Sequence, residues 1–284
     1  MQAKRTGKTP GQLAGNKLFD ANSREEQPSY YSSVFTQTLQ LWMDHPGMAE
    51  LMVDPALGKM AAELAGVQGI RIWHDQALIK EPWANPTGWH LDNPYWSFDD
   101  THSPHGGTLS LWVALDDATL DNGCLFFIPG SHRETEYTRN AGIGQNLGEL
   151  FSLYPEWEGR LEPVPVPMKA GAASFHSGMT AHGAGANMTP GRRRAMTCGC
   201  ESLLPAAHRS PLRLELDPAA HTCRCCRCRL VGAMLADMPD GATFNGNPNV
   251  LPPDYLATLA VGDVLDDDEL NPLLWRSAGG APRL

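Results

Sequence analysis

His90 and Asp92 stand two residues apart in the stretch GWHLDNPYWSF, Gly88 to Phe98. In an extended strand, residues i and i+2 point to the same face, so an imidazole and a carboxylate would share one surface. Tyr95, Trp96 and Phe98 follow at once. A chain with ten histidines and 32 acids contains about one such His-x-acid pair by chance, so a surface ion pair beside core aromatics is the ordinary alternative. Chemistry requires a third ligand. The stretch FHSGMTAHGAGANMTPGRRRAM supplies His176, His182 and, eleven residues past His182, Arg193. Two histidines and one carboxylate can hold a non-haem Fe(II) on one face and leave three positions open. An arginine offers a planar fork for bidentate pairing with a carboxylate and keeps its charge when partly buried.

These residues need strands to position them. GIRIWHDQALIK alternates, with Ile70, Ile72, His74, Gln76, Leu78 and Lys80 expected on one face. GTLSLWVALDD separates Leu109, Leu111, Val113 and Leu115 from Ser110, Trp112 and Ala114. CLFFI, VPVPMKAG, AASFHSG, MTAHGAGAN and GRRRAMTC read as further short strands split by turns. In the last of these, Arg193 shares a face with Ala195 and Thr197, while Arg192 and Arg194 point away. Ahead of the strands, Val34 to Met52 reads as two short helices interrupted at His45-Pro46-Gly47. DPALGKMAAELAG reads as a third, capped by Asp54, opened by Pro55 and ended by Gly66. Its apolar face carries Leu57, Met60, Ala61 and Leu64. Short strands after N-terminal helices indicate a mainly β sandwich or barrel with a helical flank.

The formal charge of −10 argues against a nucleic-acid binder, which needs a basic face. Hydrophobic residues at 42% and charged residues at 19% suit a globular core, and no apolar run reaches the ~18 residues of a membrane helix. Seven cysteines and no apolar signal core after Met1 lead us to expect reduced thiols in an intracellular, cytoplasmic setting. The sequence does not fix an oligomeric state.

Four blocks together resemble the phytanoyl-CoA dioxygenase-like branch of the Fe(II)/2-oxoglutarate-dependent oxygenases: HDQALIKEPW ahead of WHLD, LWVALDDATLDNGCLFFIPGSHR, AGAASFHSGMTAHGAGAN, and GRRRAM. The resemblance runs from about Asp54 to Cys198 and resumes at MPDGATFNG. It implies a double-stranded β-helix, a jelly roll of two facing sheets. It further implies that His90, Asp92 and His182 hold Fe(II), that Arg193 grips the far carboxylate of 2-oxoglutarate, and that Trp112 lines that pocket. The activity implied is hydroxylation of a small molecule, with 2-oxoglutarate and O2 giving succinate and CO2. Relatives usually carry Gln where Leu91 stands, Ser where Ala184 stands and Pro where Ala186 stands. Asp92 is kept, whereas halogenating relatives replace it with a small residue. Two alternatives stay open: a non-catalytic jelly-roll metal-binding or regulatory protein, and a cupin-type metal enzyme without 2-oxoglutarate.

Other residues have plainer readings. His176 fits a structural turn. His102 and His105 lie in a polar loop, with His105 a candidate for touching substrate, and Tyr95 and Trp96 are candidate substrate walls. Residues 1–28 read as a disordered tail, and 29–284 as a single oxygenase domain. Residues 199–233, with Cys223, Cys225, Cys226 and Cys228, read as an insert.

Overall fold

Alternating strands that each bury one face need a second layer against them, and the chain supplies two sheets and a helical cover. The computed structural model describes residues 30–203 apart from 66, 68, 97 and 100–107, and beyond them 216–217, 222–223, 243–244, 260 and 272–276. The tail 1–28, Gly66, His102, His105 and nearly all of 204–233 therefore lie outside the described residues.

The larger sheet runs β1 (Thr36–Leu39), β2 (Gly69–Lys80), β10 (Arg193–Leu203), β5 (Thr108–Ala114), β8 (Ala173–Ser177), with β14 (Leu273–Arg276) also paired to β2. The smaller sheet runs β3 (Thr87–His90), β9 (His182–Ala184), β6 (Leu125–Phe127), β7 (Val164–Val166). Two short pairs complete the described strands, β4 (Phe98–Asp99) with β13 (Thr243–Phe244), and β11 (Leu216–Asp217) with β12 (Thr222–Cys223). The fold is mainly β, a jelly roll of antiparallel strands. Trp112, Ala114, Leu125, Phe127, Ala184 and Ala195 meet between the sheets.

The outer face of the larger sheet is covered by α1 (Leu41–Asp44), α2 (Pro46–Met52) and α3 (Pro55–Ala65). Leu109, Leu111 and Val113 of β5 pack there with Phe175, Met196 and Ala61. Leu57, Met60 and Leu64 join from α3, as the helical period predicts. Asp54 accepts the Ala56 N–H at 2.7 Å and caps α3. Among the described residues no helix is long and apolar enough to cross a membrane.

Three expectations are corrected. Val34–Leu39 is not helical: Thr36–Leu39 pairs with Gln76–Ile79 as an edge strand. Gln40 turns the chain into α1 through left-handed backbone at φ 59°. The hydrogen-bonding edge of β2 thus overrides the local helical pattern. Secondly, β2 does not keep one face along its length. Gly199 pairs with His74 but Cys200 with Ile72, which makes Trp73 the extra residue of a bulge. Ile70 and Ile72 therefore join the helix-side core, while His74, Gln76 and Leu78 face the smaller sheet. Thirdly, the first five residues of the expected insert, 199–203, are not a loop. They continue β10, hydrogen-bonded to β5 as far as Glu201↔Thr108 and to β2 as far as Leu203↔Gly69.

Asp75, on the helix side of β2, is fully buried, and its Oδ2 accepts the Trp42 N–H at 3.0 Å. Burial pushes its carboxyl up to about 7, against backbone donors from Trp42, Leu41 and Gln40 that pull it down. The folded chain therefore holds this proton more tightly than the unfolded chain, whose carboxyl titrates near 3.9. Stability from this group is complete below that lower value and is lost as pH rises through about 7. Asp75→Asn keeps the acceptor and removes the titration. It should raise unfolding stability at pH 8 by on the order of 4 kcal/mol and change little at pH 4. Urea unfolding at both pH values is the measurement. An equal shift at both would contradict the assignment.

Candidate metal centre and cavity

His90 and His182 are direct cross-strand partners on β3 and β9, and their rings lie 4.3 Å apart. Gly183, next to His182, permits this approach. A Cβ there would sit 2.9 Å from the Thr87 carbonyl oxygen. His90 donates Nδ1–H to the Gly88 carbonyl at 2.8 Å, and His182 donates Nδ1–H to the Thr180 carbonyl at 2.9 Å. Each ring is thereby fixed in the tautomer that leaves an Nε2 lone pair facing inward. These two atoms lie 3.6 and 3.5 Å from Asp92 Oδ1.

Asp92 does not continue the β3 strand as the sequence spacing suggests. The strand ends at His90, Leu91 turns into the apolar layer beneath, and Asp92 opens a 3-10 turn over Asn93–Tyr95. The Asp92 and Asn93 N–H groups donate to the Gly178 carbonyl at 2.8 and 3.1 Å. Gly178 must be glycine at this contact, because a Cβ would fall 1.7 Å from Asn93 Oδ1. The carboxylate then bridges the two sheets. Oδ1 faces the histidines of the smaller sheet. Oδ2 accepts Ser110 Oγ–H at 2.6 Å and His176 Nε2–H at 3.3 Å, from cross-strand partners on β5 and β8.

One ligand atom each from His90, Asp92 and His182 lies within 4.8 Å of the others, the one such group of three among the described residues. His176 is outside the trio, and it stands in β8 rather than in a turn, where its ring supports Asp92. Burial works against a charged Asp92, but its surroundings, with His176 donating to Oδ2, hold it well below the usual carboxylate range. Burial pushes His182 down to about 3, so it is neutral at physiological pH. Two imidazole lone pairs and a carboxylate converging without a shared proton form a donor set for a divalent cation.

Arg193 lies in the same cavity and is 2% exposed. Its guanidinium carbon sits 5.2 Å from the Trp112 ring centroid, and its Nε and Nη1 have no hydrogen-bond partner. Desolvation lowers it to about 10, with Cys124 and Asp116 pulling the other way. Arg192 and Arg194 face outward and pair with Glu81 and Asp116 at 2.7 and 2.6 Å. Thr197, on the same strand, lines the cavity with Arg193, while Ala195 packs in the apolar cluster between the sheets. The cavity holds about 800 Å³ of empty space including its open mouth, and Tyr95, Trp96 and Trp112 all line it.

The sequence pattern missed the strap that pins the Asp92 turn. Residues 135–141 show no strand or helix period in the sequence, yet Tyr137 Oη–H donates to the Asn93 carbonyl at 2.9 Å and Asn140 Oδ1 accepts the Leu91 N–H at 3.0 Å. The Tyr95 hydroxyl in turn reaches the Ala141 carbonyl. Most of these are contacts to backbone, which carry no periodic signal. Ser110 was readable in principle, since alternation puts it on the Trp112 face.

The sequence profile of the family described as phytanoyl-CoA dioxygenase (PhyH) matches residues 20–195. Phytanoyl-CoA dioxygenase domain-containing protein 1 of Rattus norvegicus is 36% identical over 97 residues, 33% of this chain and 33% of that protein. Methylphosphonate hydroxylase of Gimesia maris is 28% identical over 154 residues, 54% of this chain and 53% of that protein. The matched region thus spans only a third to about half the length of these curated relatives. Among solved structures, the non-heme alpha ketoglutarate dependent carbocyclase SnoK from nogalamycin biosynthesis superposes with a TM-score of 0.60 at 24% identity. That match covers 92% of this chain and 85% of the other, and it shows a shared fold. With the family profile extending over more than half of its length, the chain belongs to the phytanoyl-CoA dioxygenase family.

Proposed function

We propose that the chain is an Fe(II)- and 2-oxoglutarate-dependent oxygenase that hydroxylates a small molecule. The observation that carries this reading is the pairing, in one cavity, of the His90–Asp92–His182 donor set with the buried, unpartnered guanidinium of Arg193. A metal-binding or regulatory jelly roll has no use for a desolvated cation beside its ligands, and neither has a cupin-type enzyme without 2-oxoglutarate. Family membership supports the reading, as do the printed activities of two relatives, a hydroxylase and an alpha ketoglutarate dependent enzyme.

When bound, iron with 2-oxoglutarate supplies the activation of O2, with succinate and CO2 as the co-products. The chain's own residues do the rest. His90 and His182 present their Nε2 atoms, with the rings held by the Gly88 and Thr180 carbonyls. Asp92 supplies the one negative ligand, aimed by Ser110 and His176. Arg193 binds the far carboxylate of the dianion, with Trp112 beneath it. The aromatic walls exclude water from the reacting positions.

We further take residues 29–284 as one oxygenase domain whose insert begins after Leu203. His105 is kept as a substrate-contact candidate on the sequence alone. An intracellular, cytoplasmic setting is kept as the reading of the sequence, in which the described cysteines Cys124 and Cys198 are buried. The expected result is a weak visible charge-transfer band when Fe(II) and 2-oxoglutarate are added without oxygen, and neither alternative yields it. A protein that binds Fe(II) but gives no band on adding 2-oxoglutarate would sink the proposal.

A further inference from the structure

The cavity beyond the metal and Arg193 is walled chiefly by rings and aliphatic groups: Tyr31, Phe35, Leu78, Tyr95, Trp96 and Ile143. Among the described residues that line it, Arg193 is the only Lys or Arg, and the co-substrate carboxylate takes it. The sequence between Glu81 and His132, which carries β3, the Asp92 turn and β5, contains no Lys or Arg either. A phosphonate or phosphate entering this space would find no second Lys or Arg among the described lining residues, and a desolvated anion without a partner costs several kcal/mol.

One wall carries a directional polar relay. The Tyr31 hydroxyl donates to Gln37 Oε1 at 3.0 Å, and Gln37 Nε2–H donates to Gln76 Oε1. Gln76 Nε2–H then donates to His74 Nε2 at 3.1 Å. His74 is 1% exposed, and burial drives its ring down to about 4, so it accepts as a neutral imidazole. This order fixes the Gln76 carboxamide, with its oxygen and one amide hydrogen engaged. Gln76 is half-buried and lines the cavity, which leaves its second amide hydrogen for a bound molecule. The bulge at Trp73 is what turns Gln76 to this side.

We propose that the substrate is an uncharged, ring-bearing molecule with a carbonyl or other hydrogen-bond acceptor, and that Gln76 selects it by donating to that acceptor. This rests on the oxygenase reading, and it sets the chain apart from the methylphosphonate hydroxylase it resembles and from any acyl-CoA substrate.

The test uses the full chain with Fe(II) and 2-oxoglutarate under anaerobic conditions. The probes are 1-tetralone and flavanone, their ketone-free counterparts tetralin and flavan, and the anions methylphosphonate and hexanoyl-CoA. Binding is read from tryptophan fluorescence and from the shift of the chelate band. At least one ketone should bind ~100-fold or more tightly than either anion, as expected for a desolvated anion without a partner. Gln76→Leu should weaken that ketone about 3- to 10-fold, leave its ketone-free counterpart unchanged, and leave the 2-oxoglutarate dissociation constant unchanged. Gln76→Glu keeps the acceptor for Gln37 and removes the amide donor, so it should weaken the ketone at least as much. It serves as the second variant should the leucine chain fail to fold. Tight binding of either anion overturns the proposal. So does the absence of ketone binding in protein that shows the chelate band, or equal losses for ketone and counterpart. Failure of the band itself counts against the oxygenase reading instead.

Discussion

Replacing Arg193 with alanine should weaken 2-oxoglutarate binding by about 2–5 kcal/mol, ~30- to several-thousand-fold, with Fe(II) present and oxygen absent. The far carboxylate must leave water to enter the cavity, and the guanidinium waiting there is 2% exposed with two nitrogens unpartnered. Each charge is costly alone and the pair satisfies both, so removing one strands the other. The carboxylate that acts on Arg193 electrostatically, Asp116, does not compete. Asp116 is already held by Arg194 through Nε at 2.8 Å and Nη2 at 2.6 Å. Arg192→Ala and Arg194→Ala break only exposed ion pairs and should alter co-substrate affinity by less than about threefold. Fe(II) affinity should hold in all three variants. A second readout separates binding from folding. Saturating 2-oxoglutarate should raise the melting temperature of the wild type, by linkage worth ~2.7 kcal/mol at a hundred times its dissociation constant, and leave Arg193→Ala almost unmoved. Three variants that behave alike would mean the β10 register is wrong.

The residues that were legible in the sequence are those whose roles follow from a period. Leu109, Leu111 and Val113 separate from Ser110, Trp112 and Ala114 because β5 is regular from end to end. Arg193 parts from Arg192 and Arg194 for the same reason on β10. Where regularity fails, the sequence misleads. One extra residue, Trp73, reverses which side of β2 faces the site, and nothing in GIRIWHDQALIK marks it. The edge strand Thr36–Leu39 forms because β2 offers an unpaired backbone edge, a tertiary fact invisible to a local window. Asp92 reaches its place through a turn anchored on the Gly178 carbonyl, 86 residues further along the chain. The two-residue spacing from His90 thus brings the pair together by a geometry the structure does not use. The family resemblance identified His182 over His176, and the distances now give the physical reason. His182 Nε2 faces Asp92 Oδ1 with its lone pair, whereas His176 approaches Oδ2 as a donor.

That difference makes the two histidines separable by mutation. His182→Ala removes one of three metal donors. Because burial keeps His182 neutral down to about pH 3, metal binding near pH 7 displaces no proton from it, and the full strength of the lone pair is available. His176→Ala removes a supporting hydrogen bond, and Ser110 still holds the same carboxylate oxygen at 2.6 Å. Loss of an outer partner of this kind typically reduces metal affinity ~10- to 100-fold. His176→Ala should fall at or below that range, with Ser110→Ala beside it. His182→Ala should exceed it, losing more than ~100-fold and leaving no measurable site at micromolar metal. Titration with Co(II) in place of Fe(II) gives the affinity from visible bands whose intensity also reports coordination number. The His176→Ala spectrum should keep the wild-type shape, since its ligands are unchanged, while any residual His182→Ala spectrum should not. Equal losses with the same altered spectrum in both variants would place His176 among the ligands. The trio of His90, Asp92 and His182 would then have to be redrawn.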